Sequence, residues 1–354
     1  MIEFTQGNLL EADAEALINT VNTVGVMGKG IALQFKQAFP NNFKEYERAC
    51  RAGEVQLGRM FVWHSDRLGK PRLIINFPTK RHWRATSKLR DIEAGLQDLR
   101  AVLEAESVKS VALPPLGCGH GGLEWRDVRP LILEALGDLH GLDVYVYEPA
   151  GTPAADMMPV ATSRPTLTPN RAALLLVFRR YLAGTWGKTV GRLEAQKLAY
   201  FLQHAGQPLK LNFIKHRYGP YAEALNHVLQ RMEGHYLRGY GDRSAGTPSR
   251  MTIAPEADEP IDAAVRDDEE AQRRVAKVSR LVDGYDSPYG LELLATVHWV
   301  TEHYPDARTS PAVVIEHVGA WNHRKRQRYA SSHVESAWND LARQGWIRHA
   351  EDGP

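Results

Sequence analysis

This sequence of 354 residues is poor in the features that mark secreted and membrane proteins. Its only cysteines are Cys50 and Cys118, and their number and separation exclude a disulfide framework and a thiolate zinc site. Both thiols are expected to be reduced. No stretch reaches the roughly eighteen apolar residues that a bilayer span needs, and the N-terminal stretch lacks a basic segment followed by an apolar one. The sequence therefore predicts a cytoplasmic protein without membrane contact.

Recognisable metal-ligand spacing is also missing. The 14 histidines include no HExxH motif and no paired ligands, so the sequence predicts no metal and no other cofactor. The net charge of +2 says little about partners, because nucleic-acid binding depends on where charge clusters. With 43% hydrophobic and 24% charged residues over this length, the chain is expected to form two globular domains.

Residues 1–150 alternate short apolar runs with amphipathic stretches, which is the pattern of strand–helix–strand units. The runs predicted as buried strands are 16–21, 73–77, 110–114 and 142–147. The stretches predicted as helices, with apolar residues three and four positions apart, are 31–38, 41–51, 88–104 and 125–139. This half is therefore predicted to be an α/β domain with a mixed sheet between helices.

The second half of the chain has a different pattern. Residues 151–169 are rich in Pro, Ala, Thr and Ser and are predicted to be a linker. The stretch from about 241 to 268 is polar and punctuated by Gly and Pro, which predicts a long loop or irregular excursion. Residues 170–354 are otherwise predicted to form a mostly α-helical domain, with helices at 172–182, 193–203, 222–232, 291–303, 311–318 and 333–344.

Two glycine-rich segments follow predicted strands of the first half. The first loop, residues 22–30, leads into a helix, and the second loop, residues 115–122, follows another strand. Glycines at such junctions let backbone N–H groups approach a phosphate, and the helix dipole favours the anion. Because ligands of open α/β sheets sit beyond the carboxyl ends of the strands, both loops are predicted to clasp a pyrophosphate. Each loop taken alone is also compatible with an ordinary tight turn.

The order and the residues of the two loops resemble those of macrodomains, the family that binds ADP-ribose, over essentially all of residues 1–150. Three motifs resemble the branch that contains human terminal ADP-ribose glycohydrolase and the bacterial DarG antitoxins: Gly-Lys-Gly-Ile-Ala at 28–32, Asn-Phe-Pro-Thr-Lys at 76–80 and Pro-Leu-Gly-Cys-Gly at 115–119. The two-domain layout favours the DarG type. The ligand-binding residues predicted from the loops and the resemblance are Asn8, Leu9, Asn22, Gly28, Lys29, Gly30, Ile31, Pro115, Leu116, Gly117, Cys118, Gly119, His120, Gly121, Gly122 and Tyr147.

In that branch a lysine after a strand is the catalytic nucleophile, and the resemblance implies this role for Lys80. The chemistry fits, because an amine can attack the anomeric carbon of a ribose and open the ring to a Schiff base. Lys80 must then be neutral, and partial burial together with Arg81 and Arg84 is expected to lower its pKa. The alternative is that residues 80–84 form only a basic surface turn.

The same turn, Lys-Arg-His-Trp-Arg at 80–84, interleaves cations with aromatic rings. This arrangement suits a single-stranded nucleic-acid backbone with stacked bases. ADP-ribosylated single-stranded DNA is therefore a candidate substrate. Trp83 could equally be a structural cap over the edge of the sheet.

The sequence departs from the family pattern in ways that affect the site. Asn8 replaces an aspartate that commonly reads adenine, so adenine recognition is expected to rest more on backbone groups. Gly121 stands where the human enzyme has a second catalytic acid. The adjacent His120 is then a candidate general acid or base, or merely a solvated loop residue. Asn22 is expected to bind the distal ribose, or to be an ordinary turn residue.

Residues 170–354 contain no recognisable catalytic motif. The segments 193–201 and 215–221 resemble a domain family associated with antitoxins, and in DarG-type proteins this region binds the DarT toxin, which ADP-ribosylates bases in single-stranded DNA. An acidic run in the predicted loop could mimic DNA phosphates in the toxin's basic groove, or could be solvated. Its members are Glu256, Asp258, Glu259, Asp262, Asp267, Asp268, Glu269 and Glu270.

Three hypotheses follow, and we favour the first. It is an antitoxin that removes ADP-ribose from modified bases of single-stranded DNA, thymidine in particular, and inhibits a DarT-like toxin through its C-terminal domain. The second is a non-catalytic ADP-ribose-binding module. The third is an ADP-ribosyl-protein hydrolase fused to a DNA-binding regulator, since residues 321–328, WNHRKRQR, are basic.

Overall fold

The computed structural model of the protein describes residues 1–65, 68–149, 151–184, 189–244 and 249–347. The chain divides into two compact units. Unit 1 consists of Met1–Ser163 and Gly241–Thr247, and unit 2 consists of Arg164–Tyr240 and Pro248–Pro354. The short piece Gly241–Thr247 therefore belongs to unit 1 although it lies late in the sequence.

Unit 1 alternates strands and helices. Its elements are β1 (Ile2–Thr5), β2 (Ala16–Asn22), α1 (Gly30–Ala38), α2 (Pro40–Arg51), β3 (Phe61–His64), β4 (Leu73–Lys80), α3 (Leu89–Ala105), β5 (Ser110–Leu113), α4 (Trp125–Leu136) and β6 (Asp143–Tyr147). The four predicted strands and four predicted helices are all present. β1 and β3 were not predicted, because four residues that are mostly only half-buried carry too short a pattern.

Six strands of unit 1 form one sheet in the order β1-β6-β5-β2-β4-β3. Every pair of neighbours is parallel except β3 and β4, so the predicted mixed sheet is confirmed. The carboxyl ends of the parallel strands share one edge, where ligands of such sheets bind. At this edge Asn22 pairs with Lys80, after an irregularity in the ladder between Val21 and Asn22.

Both faces of this sheet are covered by helices. Ala16 and Ile18 pack with the buried side chains of α3 and α4, whereas Leu17 between them packs on the opposite face with Phe35 of α1. A strand that is buried on both faces is apolar at every position, which explains the continuous runs in the sequence. The central strands therefore provide rigid supports for the loops that follow them.

Unit 2 is mostly helical, as predicted, around one core of aliphatic and aromatic side chains. Two antiparallel pairs, β7 with β8 and β9 with β10, are its strands among the described residues. The elements are α5 (Pro169–Gly184), α6 (Arg192–His204), β7 (Ile214–His216), β8 (Gly219–Tyr221), α7 (Glu223–Met232), β9 (Leu237–Arg238), β10 (Thr252–Ile253), α8 (Asp258–Val265), α9 (Glu269–Val282), α10 (Pro288–His303), α11 (Pro311–Trp321), α12 (His323–Arg328) and α13 (Ser331–Arg343).

The predicted long loop at about 241–268 is wrong in its second half. β10 and α8 lie within it, and a single 3-10 turn at Pro255–Ala257 joins them. Ile261 and Val265 are the side chains by which α8 packs into the core. Since most stabilisation of a short helix comes from such packing, two apolar residues among charges were too weak a sequence signal. No helix among the described residues is both long enough and apolar enough to span a membrane.

Candidate active site

Three segments meet at the carboxyl edge of the sheet in unit 1: the first loop after β2, the turn that begins at Lys80, and the second loop after β5. The Lys80 Nζ donates a hydrogen bond to the carbonyl oxygen of His120 in the second loop, at 2.9 Å. The N–H and Oγ1 of Thr23 in the first loop both donate to the carbonyl oxygen of Arg81, at 3.2 and 2.9 Å. The turn is therefore tied to both glycine-rich loops.

Asn22 shapes the first loop. Its side chain is buried, and Nδ2 donates to the carbonyl oxygen of Val26 at 2.6 Å. Its Oδ1 accepts from the N–H groups of Val24 and Val26, at 3.0 and 3.3 Å. Tyr46 donates its hydroxyl to the Asn22 carbonyl at 2.5 Å. The geometry thus supports Asn22 as a residue that shapes the turn. A contact between Asn22 and the distal ribose stays a prediction.

The first loop ends where helix α1 begins. Gly30 lies in the left-handed region at φ +61°, which favours glycine at this junction. Lys29 precedes it and places no side-chain cap on the helix. The N–H groups of Gly28 and Lys29 donate to no other residue that the structure describes. In contrast, the Gly30 N–H donates to the carbonyl oxygen of Asp242, at 2.9 Å.

The second loop depends on glycine at defined positions. Gly117 has φ +72°, and a Cβ added at Gly121 would lie 2.3 Å from both the Gly117 carbonyl oxygen and the Ser87 Oγ. Position 121 therefore has no room for the acid of the human enzyme. The N–H groups of Gly119, His120 and Gly121 donate to no partner within the described chain, which leaves three donors for an anion.

Lys80 occupies the last position of β4 and is half-buried. Burial lowers the pKa of its amine, in the direction that a nucleophile requires. No carboxylate of the described residues forms an ion pair with it. The expected contribution of Arg81 and Arg84 to this pKa is wrong, because both side chains are exposed to solvent and burial is the cause.

Two other groups of the second loop are limited in their chemistry by their pKa values. Burial, with the positive charge of Lys29, lowers the pKa of His120 against an opposing effect of Asp242. The imidazole is therefore neutral at pH 7. Burial raises the pKa of Cys118 to about 11, so this thiol is protonated and is not a nucleophile at neutral pH.

The turn after Lys80 presents its ring to solvent. Trp83 is 45% exposed, so a large part of its surface is accessible to solvent. The Arg84 guanidinium carbon lies 4.4 Å from the Trp83 ring centroid, and the ring of His82 lies at 5.2 Å. Cationic and aromatic groups thus share one exposed surface beside the lysine.

The other predicted ligand residues have mixed surroundings. Asn8 accepts at Oδ1 from the Leu10 N–H, and its Nδ2 donates to the carbonyl oxygen of Met157 at 3.1 Å. Leu9 and Leu116 are buried and support the loops from the core. The remaining predicted positions are Tyr147, half-buried at the end of β6, Ile31 and Pro115, both half-buried, and Gly122, exposed with φ +77°.

Sequence reasoning missed one residue that contacts the first loop. Asp242 is 1% exposed, and its Oδ2 accepts a hydrogen bond from Nε2 of Gln34 in α1, at 2.7 Å. A single aspartate 208 positions away from its partner carries no periodicity or motif that could have indicated this contact.

The basic motif at 321–328 mainly stabilises unit 2. Lys325 is completely buried, and its Nζ lies 2.6 Å from Oε1 of Glu292. Arg324 pairs with both oxygens of the same carboxylate, at 2.7 and 3.0 Å. Trp321 donates its Nε1–H to the carbonyl oxygen of His216, at 2.9 Å. These contacts argue against the interpretation of the motif as a DNA-binding surface.

The acidic run does not form the extended segment that the mimicry hypothesis assumed. Most of it lies on α8 and α9, and Asp268 caps α9 by accepting from the Ala271 N–H. The ion pairs of the run join Glu256 to Arg238, Asp258 and Asp262 to Arg179, Glu269 to Arg273, and Glu270 to Arg273 and Arg274. Glu259 and Asp267 have no ion pair among the described residues.

Within the described ranges, no group of three or more histidine, cysteine, aspartate or glutamate side chains is arranged to hold a metal ion.

Residues 18–132 match the Macro domain family. A DNA ADP-ribosyl glycohydrolase from Thermus aquaticus is 48% identical over 351 residues, which are 99% of this chain and 96% of the relative. The chain belongs to the family of DNA ADP-ribosyl glycohydrolases. Another member, from Mycobacterium tuberculosis, is 43% identical over 346 residues, 94% of this chain and 97% of its own. A Thermosipho africanus protein named a DNA ADP-ribosyl transferase–DNA ADP-ribosyl glycohydrolase fusion is 34% identical over 163 residues, 42% of each chain.

Membership in this family confirms the macrodomain fold and the resemblance to the DarG type. It also confirms that the protein is an enzyme, a DNA ADP-ribosyl glycohydrolase. The hypothesis of a non-catalytic ADP-ribose-binding module is therefore set aside.

Proposed function

We propose that this glycohydrolase acts through Lys80 as a nucleophile, that its substrate is ADP-ribosylated thymidine in single-stranded DNA, and that the second half of the chain binds a DNA ADP-ribosyltransferase toxin. The observation that carries the proposal is the setting of the Lys80 amine. The amine lies at the carboxyl edge of the sheet. It is hydrogen-bonded to the second loop and has no counter-ion among the described residues.

The setting favours a neutral amine. A carbonyl oxygen, the partner found at 2.9 Å, accepts one N–H of an uncharged amine and leaves its lone pair for attack. A carboxylate partner would instead stabilise the ammonium form and raise the pKa. Burial without a carboxylate therefore shifts the pKa of the Lys80 amine in the direction that the reaction needs.

The reaction has two steps in this proposal. The lone pair of Nζ forms a bond to the anomeric carbon of the ribose, and the bond from that carbon to the base nitrogen breaks, with the base taking a proton from solvent or a nearby acid. The ribose ring opens to give a Schiff base on Lys80. Water then adds to the Schiff base, which releases free ADP-ribose and regenerates the amine.

The two loops bind the diphosphate in this proposal. The N–H groups of Gly28 and Lys29 in the first loop, and those of Gly119, His120 and Gly121 in the second, have no partner among the described residues. Such donors beside a helix N-terminus favour an anion because their partial positive charges add to the helix dipole.

Trapping of the Schiff base tests the nucleophile. Borohydride added during turnover should attach ADP-ribose to the protein by a stable secondary amine, and mass spectrometry should find it on Lys80. Lys80→Ala should give no adduct, whereas Lys44→Ala, which removes an exposed lysine of α2, should give as much as the parent. Turnover without any trapped adduct, or an adduct on another residue, would contradict the proposal.

The surface around Trp83 supports a DNA strand as the substrate. An exposed ring beside Arg84 can stack a neighbouring base while the guanidinium meets a phosphate. The parent should therefore hydrolyse ADP-ribosyl thymidine faster in an oligonucleotide than as the free nucleoside, and Trp83→Ala should remove most of that difference. Equal rates on both substrates, or a preference for ADP-ribosylated protein or another base, would argue against this substrate.

Toxin binding is supported by the fusion relative, whose name combines the transferase with the glycohydrolase. If the acidic run takes part, its contribution rests on Glu259 and Asp267, because the other members are paired or cap a helix. Glu259→Lys with Asp267→Lys should slow association with the toxin and reduce its salt dependence, while Glu134→Lys in unit 1 should not. Unchanged association would exclude the run from the interface.

A further inference from the structure

The piece Gly241–Ser244 lies against the first loop, within unit 1. Its Asp242 carbonyl oxygen accepts the hydrogen bond of the Gly30 N–H at 2.9 Å. This N–H belongs to the donors that the sequence assigns to the pyrophosphate. A backbone N–H has one hydrogen, so a ligand can use this donor only after the Asp242 carbonyl has left it.

The side chain of Asp242 joins the piece to α1 and also makes a hydrogen bond within the piece. Its Oδ2 accepts from Nε2 of Gln34 at 2.7 Å, and its Oδ1 accepts from the N–H of Ser244 at 3.0 Å. The carboxylate is almost completely buried beside the N-terminal turn of α1. A carboxylate there uses the same helix dipole that would favour a phosphate, because both are anions.

The piece also reaches the space between the two loops. A Cβ added at Gly30 would lie 3.3 Å from Cδ2 of His120 and 3.7 Å from Oγ of Ser244. The imidazole of the second loop and the hydroxyl of this piece therefore both lie beside the position that a side chain at Gly30 would occupy.

We propose that Gly241–Ser244 is an autoinhibitory strap that occupies the anion-binding end of α1 and competes with the diphosphate of the ADP-ribosyl group. The proposal rests on the proposed diphosphate-binding role of the two loops. It adds to that function a regulatory element encoded more than 200 residues after α1.

The contacts of Asp242 with α1 are of a kind that a ligand can replace. The Gly30 N–H and the Gln34 Nε2 each donate one hydrogen bond to it, and each such bond contributes modestly once exchange with water is counted. Arg243 within the strap has φ +63°, a left-handed conformation that costs a non-glycine residue energy and that release would relieve. Because only the strap-free form accepts the diphosphate, the apparent affinity is the intrinsic affinity reduced by the strap-free fraction.

Calorimetry with free ADP-ribose on the full chain tests the strap. Asp242→Ala removes the carboxylate together with both hydrogen bonds that it accepts. The Kd of this variant for ADP-ribose should therefore be lower than that of the parent by about fivefold or more. Asp242→Asn keeps the size of the side chain and one acceptor oxygen but removes the negative charge and replaces the other oxygen by an NH2 donor, so it should also bind more tightly, by a smaller factor. Asp283→Ala, at an exposed position of unit 2, should leave the Kd unchanged.

The sign of the change separates the strap from a supporting role. If Asp242 instead positions α1 for the ligand, Asp242→Ala will bind ADP-ribose more weakly, and that result would overturn the proposal, as would an unchanged Kd in both Asp242 variants. If the parent itself does not bind ADP-ribose, the proposed binding of the diphosphate by the two loops fails, and the strap proposal fails with it. If the parent binds but the Asp242 variants do not bind more tightly, only the strap proposal fails.

Discussion

The polar groups at the carboxyl edge of unit 1 and those in the core of unit 2 contrast in how completely they are paired. Among the described residues at the edge, three successive N–H groups of the second loop lack partners, and Lys80 donates to a carbonyl oxygen and to no carboxylate. In unit 2, Glu292 accepts from Arg324 and Lys325, and Lys325 also donates to Thr296. The edge thus keeps hydrogen-bond donors that a ligand can use, whereas the donors and acceptors of the unit 2 cluster are paired with one another.

The two regions each contain a lysine whose pKa is lowered by burial. Lys80 is half-buried, while Lys197 is 1% exposed and donates to the carbonyl oxygen of Pro220 at 2.6 Å. Burial, with the charge of Lys325, lowers the pKa of Lys197 to about 7. A lowered lysine pKa therefore does not by itself identify a catalytic residue, because an amine that no substrate can reach cannot react.

Lys80→Ala should sharpen this contrast most strongly. Removal of the nucleophile should reduce the rate constant for hydrolysis of ADP-ribosylated single-stranded DNA more than about 1000-fold, with ADP-ribose affinity within a few-fold of the parent. Lys197→Met, in contrast, should leave the rate per folded molecule close to that of the parent. Single-turnover kinetics measure both. A Lys80→Ala enzyme with near-normal rate would remove the distinction between the two lysines.

Glu292→Gln should show that the unit 2 cluster is structural. The change keeps the size of the side chain but leaves Lys325, which is completely buried, and Arg324 without their carboxylate. An uncompensated buried charge should lower the free energy of unfolding by about 3 kcal/mol. Urea denaturation followed by circular dichroism would measure the loss. A stability change no larger than that of an exposed control such as Glu335→Gln would mean that the cluster contributes little to the fold.

Gly119→Val should separate ligand binding from folding within the second loop. Nothing lies within 4 Å of a Cβ added at Gly119, so the loop should keep its shape while the new side chain obstructs the phosphate. ADP-ribose affinity should fall about tenfold or more. Gly121→Ala should instead destabilise unit 1, because its Cβ would lie 2.3 Å from the Gly117 carbonyl oxygen. Normal affinity in a folded Gly119→Val protein would place the anion elsewhere.

Local patterns in the sequence predicted those parts of the molecule that local residues determine. The strand β4 and its final Lys80 follow from a continuous apolar run, and the two loops follow from glycines after strands. The helix α8 was missed because it depends on the burial of only two side chains by the rest of unit 2. Asp242 was missed for a related reason, since its contact with Gln34 joins residues 208 positions apart and exists only in the folded chain.

The smallest expected effect concerns the pH dependence of stability, and it tests whether Lys197 is neutral in the folded protein. Its folded-state pKa of about 7 lies below the usual value near 10.5. Between these values the unfolded chain holds a proton that the folded chain has lost, so the free energy of unfolding should increase as the pH rises through 7. One such group changes the free energy of unfolding by at most about 1.4 kcal/mol per pH unit. Because the nearby charges of Lys325 and Glu292 broaden the titration, we expect an increase of about 1 kcal/mol between pH 7 and 8.5.

Urea denaturation of the parent and of Lys197→Met over that interval would measure this contribution. Lys325, whose pKa burial lowers to about 8, is present in both proteins, so the comparison between them isolates the contribution of Lys197. The variant should show a shallower increase with pH, since it lacks the group that titrates, and the difference between the two proteins should grow steadily from pH 7 to 8.5. Parallel curves would show that Lys197 keeps its proton in the folded protein over this interval, which would contradict the prediction.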